Sequence, residues 1–282
     1  MGASLERVTI TVERGLLQLI DSLVGQKKAK SRSHAFEILL RKALAGQELK
    51  KGLVLAGGPK EGLIESRSKE LKPLLDVGGV SVIERIIMHL RKHGVEEIIV
   101  VLGYMGEKIV SRLQNGESLG VRISYVWESA GAPFGSAGAM RLAQQHFNEP
   151  FVLSYSDVLY DELDLNDFYK FHKKSGGVCT LALANASETS PFGVALLSGS
   201  SIVDFTEKPP KAESHLVNAG IAVCEPSIFS FIPKNSKSSF ERDLLPALAK
   251  KGKLFGYAYS GNWFDVGKPG SLEAARKHFA RK

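Results

Sequence analysis

Gly52-Leu53-Val54-Leu55-Ala56-Gly57-Gly58 governs the reading of this chain: it is a short apolar run that stops on two adjacent glycines. Leu53–Ala56 is long enough for one buried strand, and glycines directly after it permit a tight turn at the strand's carboxyl end. The pattern then repeats. Val82–His93 has the spacing of an amphipathic helix, Ile98–Leu102 that of a second strand, and Phe151–Ser154 and Cys179–Ala184 continue the series. Strands alternating with helices predict an α/β domain built on a doubly wound, mostly parallel sheet with crossover helices. In such open sheets ligands bind outside the carboxyl ends of the strands, which places the candidate site at Gly57 and Gly58.

The chain has 282 residues, 44% apolar and 24% charged, which argues against disorder and suits one large domain with a small companion. No stretch reaches the roughly 18 consecutive apolar residues of a membrane helix, and the first residues lack the apolar run of a secretory signal. The expectation is a cytoplasmic protein with no membrane partner. Cys179 and Cys224 have no CxxC spacing and fall within apolar runs, so neither a disulfide nor a zinc site is expected.

The net charge of +7 is unevenly placed: residues 1–50 hold nine Lys and Arg against five Asp and Glu. Basic bias confined to one small module is a footprint for a polyanion. Within it, Arg7–Val12 alternates strictly, with Val8, Ile10 and Val12 on one face and Arg7, Thr9 and Thr11 on the other. Two helical segments follow, Glu13–Val24 and Ser33–Ala45, joined by a basic connector, with Ser31 or Ser33 placed to cap the second. A lone strand cannot satisfy its own backbone and so few residues cannot bury a core, so the module is expected to pair with a second copy. These residues resemble the ribbon-helix-helix family, in which two chains form an antiparallel ribbon that enters the DNA major groove. The resemblance implies a homodimer through residues 1–46 and double-stranded DNA as partner. Arg7, Thr9 and Thr11 would face base edges and Lys28, Lys30 and Arg32 the phosphates.

Residues 52–282 carry a second resemblance, to the sugar-1-phosphate nucleotidylyltransferases, at separated points in the family's order. Leu55-Ala56-Gly57-Gly58 with Lys72-Pro73-Leu74 and Gly78 is similar to the family's LAGGxGTRL and PKPLxxxxG. Phe134-Gly135-Ser136-Ala137-Gly138-Ala139 is similar to LGTAGAL, Ser154-Tyr155-Ser156-Asp157 to NGD, and Phe205-Thr206-Glu207-Lys208-Pro209 to FxEKP. Asn218-Ala219-Gly220-Ile221 is similar to NxGI and Trp263-Phe264-Asp265-Val266-Gly267 to WxDIGTP. The resemblance implies a Rossmann-like fold, a nucleoside triphosphate or nucleotide sugar and a sugar 1-phosphate as ligands, and Mg²⁺ as cofactor. It assigns Ala56, Gly57, Gly58, Lys72, Gly135 and Gly138 to the nucleotide and Glu207, Lys208 and Asn218 to the sugar phosphate. Asp157 and Asp265 would bind the metal and, with Lys72, carry catalysis. Elementary chemistry agrees, since nucleotidyl transfer needs mainly positioning and cations, and two carboxylates on Mg²⁺ suit phosphate chemistry. Lys72 and Lys208 each precede a proline, which predicts extended backbone at both.

The resemblance breaks between Gly58 and Lys72, where Pro59-Lys60-Glu61-Gly62-Leu63-Ile64 replaces the family's Gly-Thr-Arg turn. Direct spacing puts Gly62 at the arginine. A gapped alignment makes Gly62 a loop glycine instead, similar to the GGPxxG of regulatory alpha subunits of eukaryotic GDP-mannose pyrophosphorylases, with Leu63-Ile64 at Thr-Arg. Ser156 stands where the family has glycine. Three functions therefore stay open: an active nucleotidylyltransferase, a nucleotide-sugar-sensing transcriptional regulator, and a dimeric enzyme or subunit whose arm serves assembly alone.

Overall fold

The computed structural model describes residues 8–25, 29–45, 49–128, 134–234 and 237–280. Arg7 and Lys28, expected to contact DNA, lie outside the described residues. Contacts divide the chain into two compact units, Met1–Gln47 and Glu48–Lys282.

In the first unit, α1 (Arg14–Gly25) and α2 (Arg32–Ala45) close on a core of Ile20, Ala29 and Ala35, with Leu23, Val24 and Phe36 around it. Ser31 is the cap of α2: its Oγ accepts the His34 N–H at 3.2 Å, while Ser33 lies inside the helix. The expected strand is not formed in the single chain, where Val8–Val12 has no ladder partner. Val8, Ile10, Leu16, Leu19 and Leu40 are each more than half exposed. Arg32, expected to face phosphate, is held by Asp21 through Nε (2.6 Å) and a second guanidinium nitrogen (2.7 Å). This fork ties α1 to α2, because a planar guanidinium matches both oxygens of a carboxylate.

The second unit begins with β1 (Lys51–Ala56) and a single turn α3 (Lys60–Leu63), then a small hairpin of β2 (Asp76–Val77) and β3 (Val80–Ser81). Next come α4 (Val82–Lys92), β4 (Glu97–Leu102), α5 (Gly106–Leu113), β5 (Arg122–Trp127) and α6 (Gly135–Leu142). They are followed by β6 (Phe151–Tyr155), β7 (Val158–Tyr160), α7 (Leu165–Ser175), β8 (Cys179–Asn185), β9 (Gly193–Ser198) and β10 (Ser201–Glu207). The chain closes with β11 (Leu216–Cys224), α8 (Leu245–Lys250), β12 (Leu254–Ala258), β13 (Trp263–Asp265) and α9 (Pro269–Phe279). Among the described residues one nine-stranded sheet has the order β5-β4-β1-β6-β11-β8-β12-β10-β9.

β1 is buried on both faces, which is why its apolar run is continuous rather than alternating. Val54 and Ala56 enter one core cluster with Ile98, Val100 and Leu102 of β4, while Leu53 and Leu55 enter the other with Ile99 and Val101. The two-residue period of a strand thus feeds helices on both sides of the sheet. α4 starts where the Glu84 carboxylate turns back to accept the Ser81 N–H at 3.0 Å. The sheet is mostly parallel in strand direction, as expected, but two strands run against the rest: β11, antiparallel to β6 and β8, and β10, antiparallel to β12 and β9. β9 and β10 form a hairpin at the edge of the sheet. Their partial burial, with one face left open, is the pattern of an antiparallel edge rather than of a covered parallel strand. Cys179 and Cys224 face each other across β8 and β11 with 3.8 Å between sulfurs, as free thiols. No helix among the described residues is long and apolar enough to cross a membrane.

His89 on α4 gives this domain a predictable acid response. Its Nε2 meets the Leu163 carbonyl at 2.9 Å, and burial, then neighbouring His93, pushes its pKa down to about 4. The unfolded imidazole accepts a proton near its ordinary 6.5, so the stability held by neutral His89 is complete above that pH and is lost as pH falls towards 4. The expected loss between pH 7 and pH 4.5 is about 2 kcal/mol. Urea unfolding at the two pH values should show His89→Gln losing less than wild type by that amount; equal losses would remove His89 from the acid response.

Candidate active site

β1 lies at the point where the strand order reverses: β4 and β5 extend the sheet on one side of it and β6 on the other. The crevice at its carboxyl end is where an open sheet receives ligands. Here three short backbones converge. A Cβ at Gly57 would strike the Glu128 carboxylate, and one at Gly103, after β4, would come within 2.8 Å of the Gly58 nitrogen. Gly58 takes φ 111° and donates its N–H to Glu128 Oε2 at 2.5 Å. The glycine pair is therefore required by close approach and by backbone conformation. Around this turn opens a cavity of about 290 Å³ lined by residues that include Gly57, Gly58, Gly62, Glu128, Ser136, Asp157 and Lys237.

Asp157 and Asp265 are brought together by the β7–β13 ladder, in which Asp265 pairs with Val158 and the Val266 N–H donates to the Asp157 carbonyl at 3.0 Å. Lys72 places its Nζ 3.6 Å from Asp157 Oδ2 and lies against Gly267, whose N–H donates to Asp265 Oδ1 at 2.9 Å. Burial raises the Asp157 pKa, the charge of Asp265 raises it further, and Lys72 opposes both. Asp157 thus lies in an unfavourable field that Lys72 offsets only in part. The Asp157 side chain keeps a third of its surface exposed, so it is open to the cavity it lines.

The other expected residues fall into three sets. Gly57, Gly58 and Gly135 line the cavity with Asp157, whereas Ala56 and Gly138 are buried and outside its lining. Glu207 sits where burial first, and Glu241 second, raise its pKa, and Lys208 is 3.7 Å from it with more than half its side chain exposed. Asn218 turns its Oδ1 to the Gly220 N–H (3.0 Å) at a bulge of β11, where Gly220 takes φ 74°. The expected extended backbone before each proline is not found. Lys72 opens a 3-10 turn, Lys72–Leu74, and Lys208 sits at φ 52° because its N–H must reach the Phe192 carbonyl at the end of β10. The pre-proline preference is a local bias that these tertiary contacts override.

Several groups at the site went unread in the sequence. Glu128 follows β5, at the same edge of the sheet as Gly57, and its position at a strand's carboxyl end was the available signal. Glu241, in the π-helical turn Phe240–Leu244, accepts the Tyr155 hydroxyl and those of Ser136 and Ser239, the latter two at 2.9 Å. Tyr155 and Ser136 line the cavity, so Glu241 braces its floor. Lys268 stacks over the Phe192 ring at 3.6 Å, with its pKa lowered by burial and raised by Asp265.

A family model described as Nucleotidyl transferase matches residues 51–282. The mannose-1-phosphate guanyltransferase beta-B of Xenopus laevis is 31% identical over 225 residues, covering 78% of this chain and 61% of its own. The mannose-1-phosphate guanylyltransferase catalytic subunit beta of Dictyostelium discoideum is 32% identical with the same coverage. The chain thus spans about three fifths of the length of these curated relatives. Among solved structures, one assigned to a glucose-1-phosphate thymidylyltransferase of Bacillus anthracis, in complex with sucrose, superposes with a TM-score of 0.73 at 25% identity, covering 82% of this chain and 96% of that one. A UDP-glucose pyrophosphorylase complexed with UDP-glucose shares the fold, with a TM-score of 0.69 at 22% identity over 83% of this chain and 100% of that one.

Proposed function

The chain belongs to the nucleotidyl transferase family, and from that premise we propose that it is a sugar-1-phosphate nucleotidylyltransferase: NTP and sugar 1-phosphate give NDP-sugar and pyrophosphate. The observation that carries the reading is Asp157 on the lining of the cavity at the glycine turn, sharing its field with Asp265 and paired with Lys72. A phosphate oxygen of the sugar 1-phosphate attacks the α-phosphorus, the α–β bridging P–O bond breaks, and pyrophosphate leaves with the electron pair. Such a transfer asks the protein for alignment and for cations around the phosphates.

Asp157 and Asp265 fit a divalent cation, because their paired negative charge is only partly offset by Lys72. Two carboxylates leave the remaining positions to phosphate oxygens and water, as Mg²⁺ prefers. When bound there, Mg²⁺ supplies charge neutralisation at the phosphates. Lys72 holds a phosphate oxygen with its ammonium, and the glycine turn lets the nucleotide lie close to the backbone. Glu207 and Lys208 serve the sugar phosphate end, with Lys268 beside them and Asn218 shaping the bulge behind.

We assign Glu128 to the base. Its carboxylate is braced by the N–H groups of Gly58 and Phe134, and it presents acceptors to the cavity. Guanine alone offers two adjacent donors, N1–H and N2–H, on its pairing edge, so a carboxylate there selects GTP. Relatives named for mannose 1-phosphate and guanylyl transfer make mannose 1-phosphate the first sugar to test. Pyrophosphate release should be measured across four NTPs and a panel of sugar 1-phosphates with magnesium. Turnover with GTP supports the reading, and silence across the panel from folded protein ends it.

A second reading rests on the arm. Its uncovered apolar residues call for a second copy, and Thr9, Thr11 and Lys30 would then join Arg7, Lys28 and Arg32 on a DNA-facing side. With no arginine in the turn after β1, the large unit would act as a nucleotide-sugar sensor coupled to an operator. Ligand and DNA affinities must then change each other by the same factor. Selection of bound duplexes from a random DNA library by the full chain should enrich a two-fold symmetric site whose affinity shifts with GDP-sugar. No enrichment would leave the arm as an assembly device.

A further inference from the structure

We propose that Lys237 is a phosphate-binding residue of the nucleotide site, supplying on the cavity lining a cation that the turn after β1 does not provide; this rests on the nucleotidyl-transfer reading above. From Gly57 to Ser66 the turn holds one basic residue, Lys60, whose ammonium stands 5.9 Å from the Tyr104 ring centre and which is outside the cavity lining. Glu61 adds a negative charge. Lys72, assigned above to one phosphate oxygen, also has Asp157 to offset, so a triphosphate needs a further cation. Among the described residues that line the cavity, the one basic side chain is Lys237.

The backbone that follows Lys237 is clamped. Ser238, 3% exposed, donates its N–H to the Phe134 carbonyl at 2.8 Å, and its own carbonyl accepts the N–H groups of Ala137 (3.0 Å) and Gly138 (3.2 Å). The Ser239 N–H reaches Asp243 at 2.7 Å and the Phe240 N–H reaches Ser136 Oγ at 2.8 Å. Gly135 completes the clamp: at φ 75°, any Cβ would collide with the Ser238 carbonyl carbon at 3.0 Å. A lysine tethered to so fixed a segment keeps its ammonium at the cavity while its stem stays adaptable. A triphosphate entering the cavity meets two carboxylates on its lining, Glu128 and Asp157, and Lys237 is the cation there that offsets them.

The test is equilibrium titration of wild type, Lys237→Met and Lys237→Arg, without metal, with GTP, ATP, UTP and dTTP and with the corresponding monophosphates. For a nucleotide that wild type binds, the preference for triphosphate over monophosphate should fall about tenfold in Lys237→Met and persist in Lys237→Arg. Wild-type binding with an undiminished triphosphate preference in Lys237→Met overturns the assignment and leaves the nucleotidyl-transfer reading standing. Failure of wild type to bind any of the eight nucleotides, with magnesium restored as well as without it, overturns both.

Discussion

Asp157→Ala is expected to lose pyrophosphate release at least a thousandfold in saturating magnesium while the protein stays folded. The aspartate lines the cavity, shares its field with Asp265 and meets Lys72, so its removal takes away half of the charge that would hold the cation against the phosphates. Loss of a preorganised electrostatic contact at a transferring phosphoryl group is worth about two to three orders of magnitude, and loss of the cation as well is larger. Folding should not suffer with it. In the apo protein the Asp157 charge is held unfavourably by burial and by Asp265, so the substitution removes a strained group rather than a supporting one. Thermal unfolding without metal should show a Tm at or above that of wild type. Retained turnover in this variant would displace the metal from the β7–β13 pair and with it the reading of the site; a collapsed Tm would make Asp157 structural.

The second large effect concerns the base. Glu128→Gln is expected to lower kcat/KM for GTP relative to ATP by about ten- to a hundredfold, because a bidentate hydrogen-bonded pair discriminates by roughly 1–3 kcal/mol. The carboxylate accepts only; the amide turns one acceptor into a donor that opposes the guanine N–H groups and suits adenine, whose pairing edge offers one donor beside one acceptor. The amide oxygen can still accept the Gly58 N–H, so the turn keeps its form. The comparison is a competition assay with both nucleotides present, which cancels differences in active fraction. An unchanged GTP to ATP ratio would move the base away from Glu128 and leave that carboxylate as a brace for the turn.

Part of this molecule could be read without coordinates because the relevant physics is local. The apolar run Leu53–Ala56 closing on Gly57-Gly58 states a buried strand and a tight turn, and the structure puts both at the strand-order reversal. The helix over Val82–Lys92 and the strands over Glu97–Leu102, Phe151–Tyr155 and Cys179–Asn185 follow from side-chain periodicity within a residue or two of the expected bounds. Asp157 and Asp265 could be named from their neighbours in sequence, although nothing local says that 108 residues of chain return to place them side by side. Lys72 and Lys208 show the limit of a local rule, since each adopts a conformation imposed by a distant partner.

What the sequence determined by itself was the α/β alternation, the glycine turn and the order of the short motifs along the chain, because each depends on residues a few positions apart. The tertiary structure alone decided the reversed strands β11 and β10, which are set by which strands meet after long excursions. It also decided that Glu128, 70 positions along the chain, meets the Gly58 N–H, that Glu241 accepts the Tyr155 hydroxyl, and that Lys237 lines the cavity at the glycine turn. A carboxylate, a tyrosine and a lysine acquire those roles only from what is packed beside them, since charge and hydrogen-bonding capacity are general until burial and neighbours select their use.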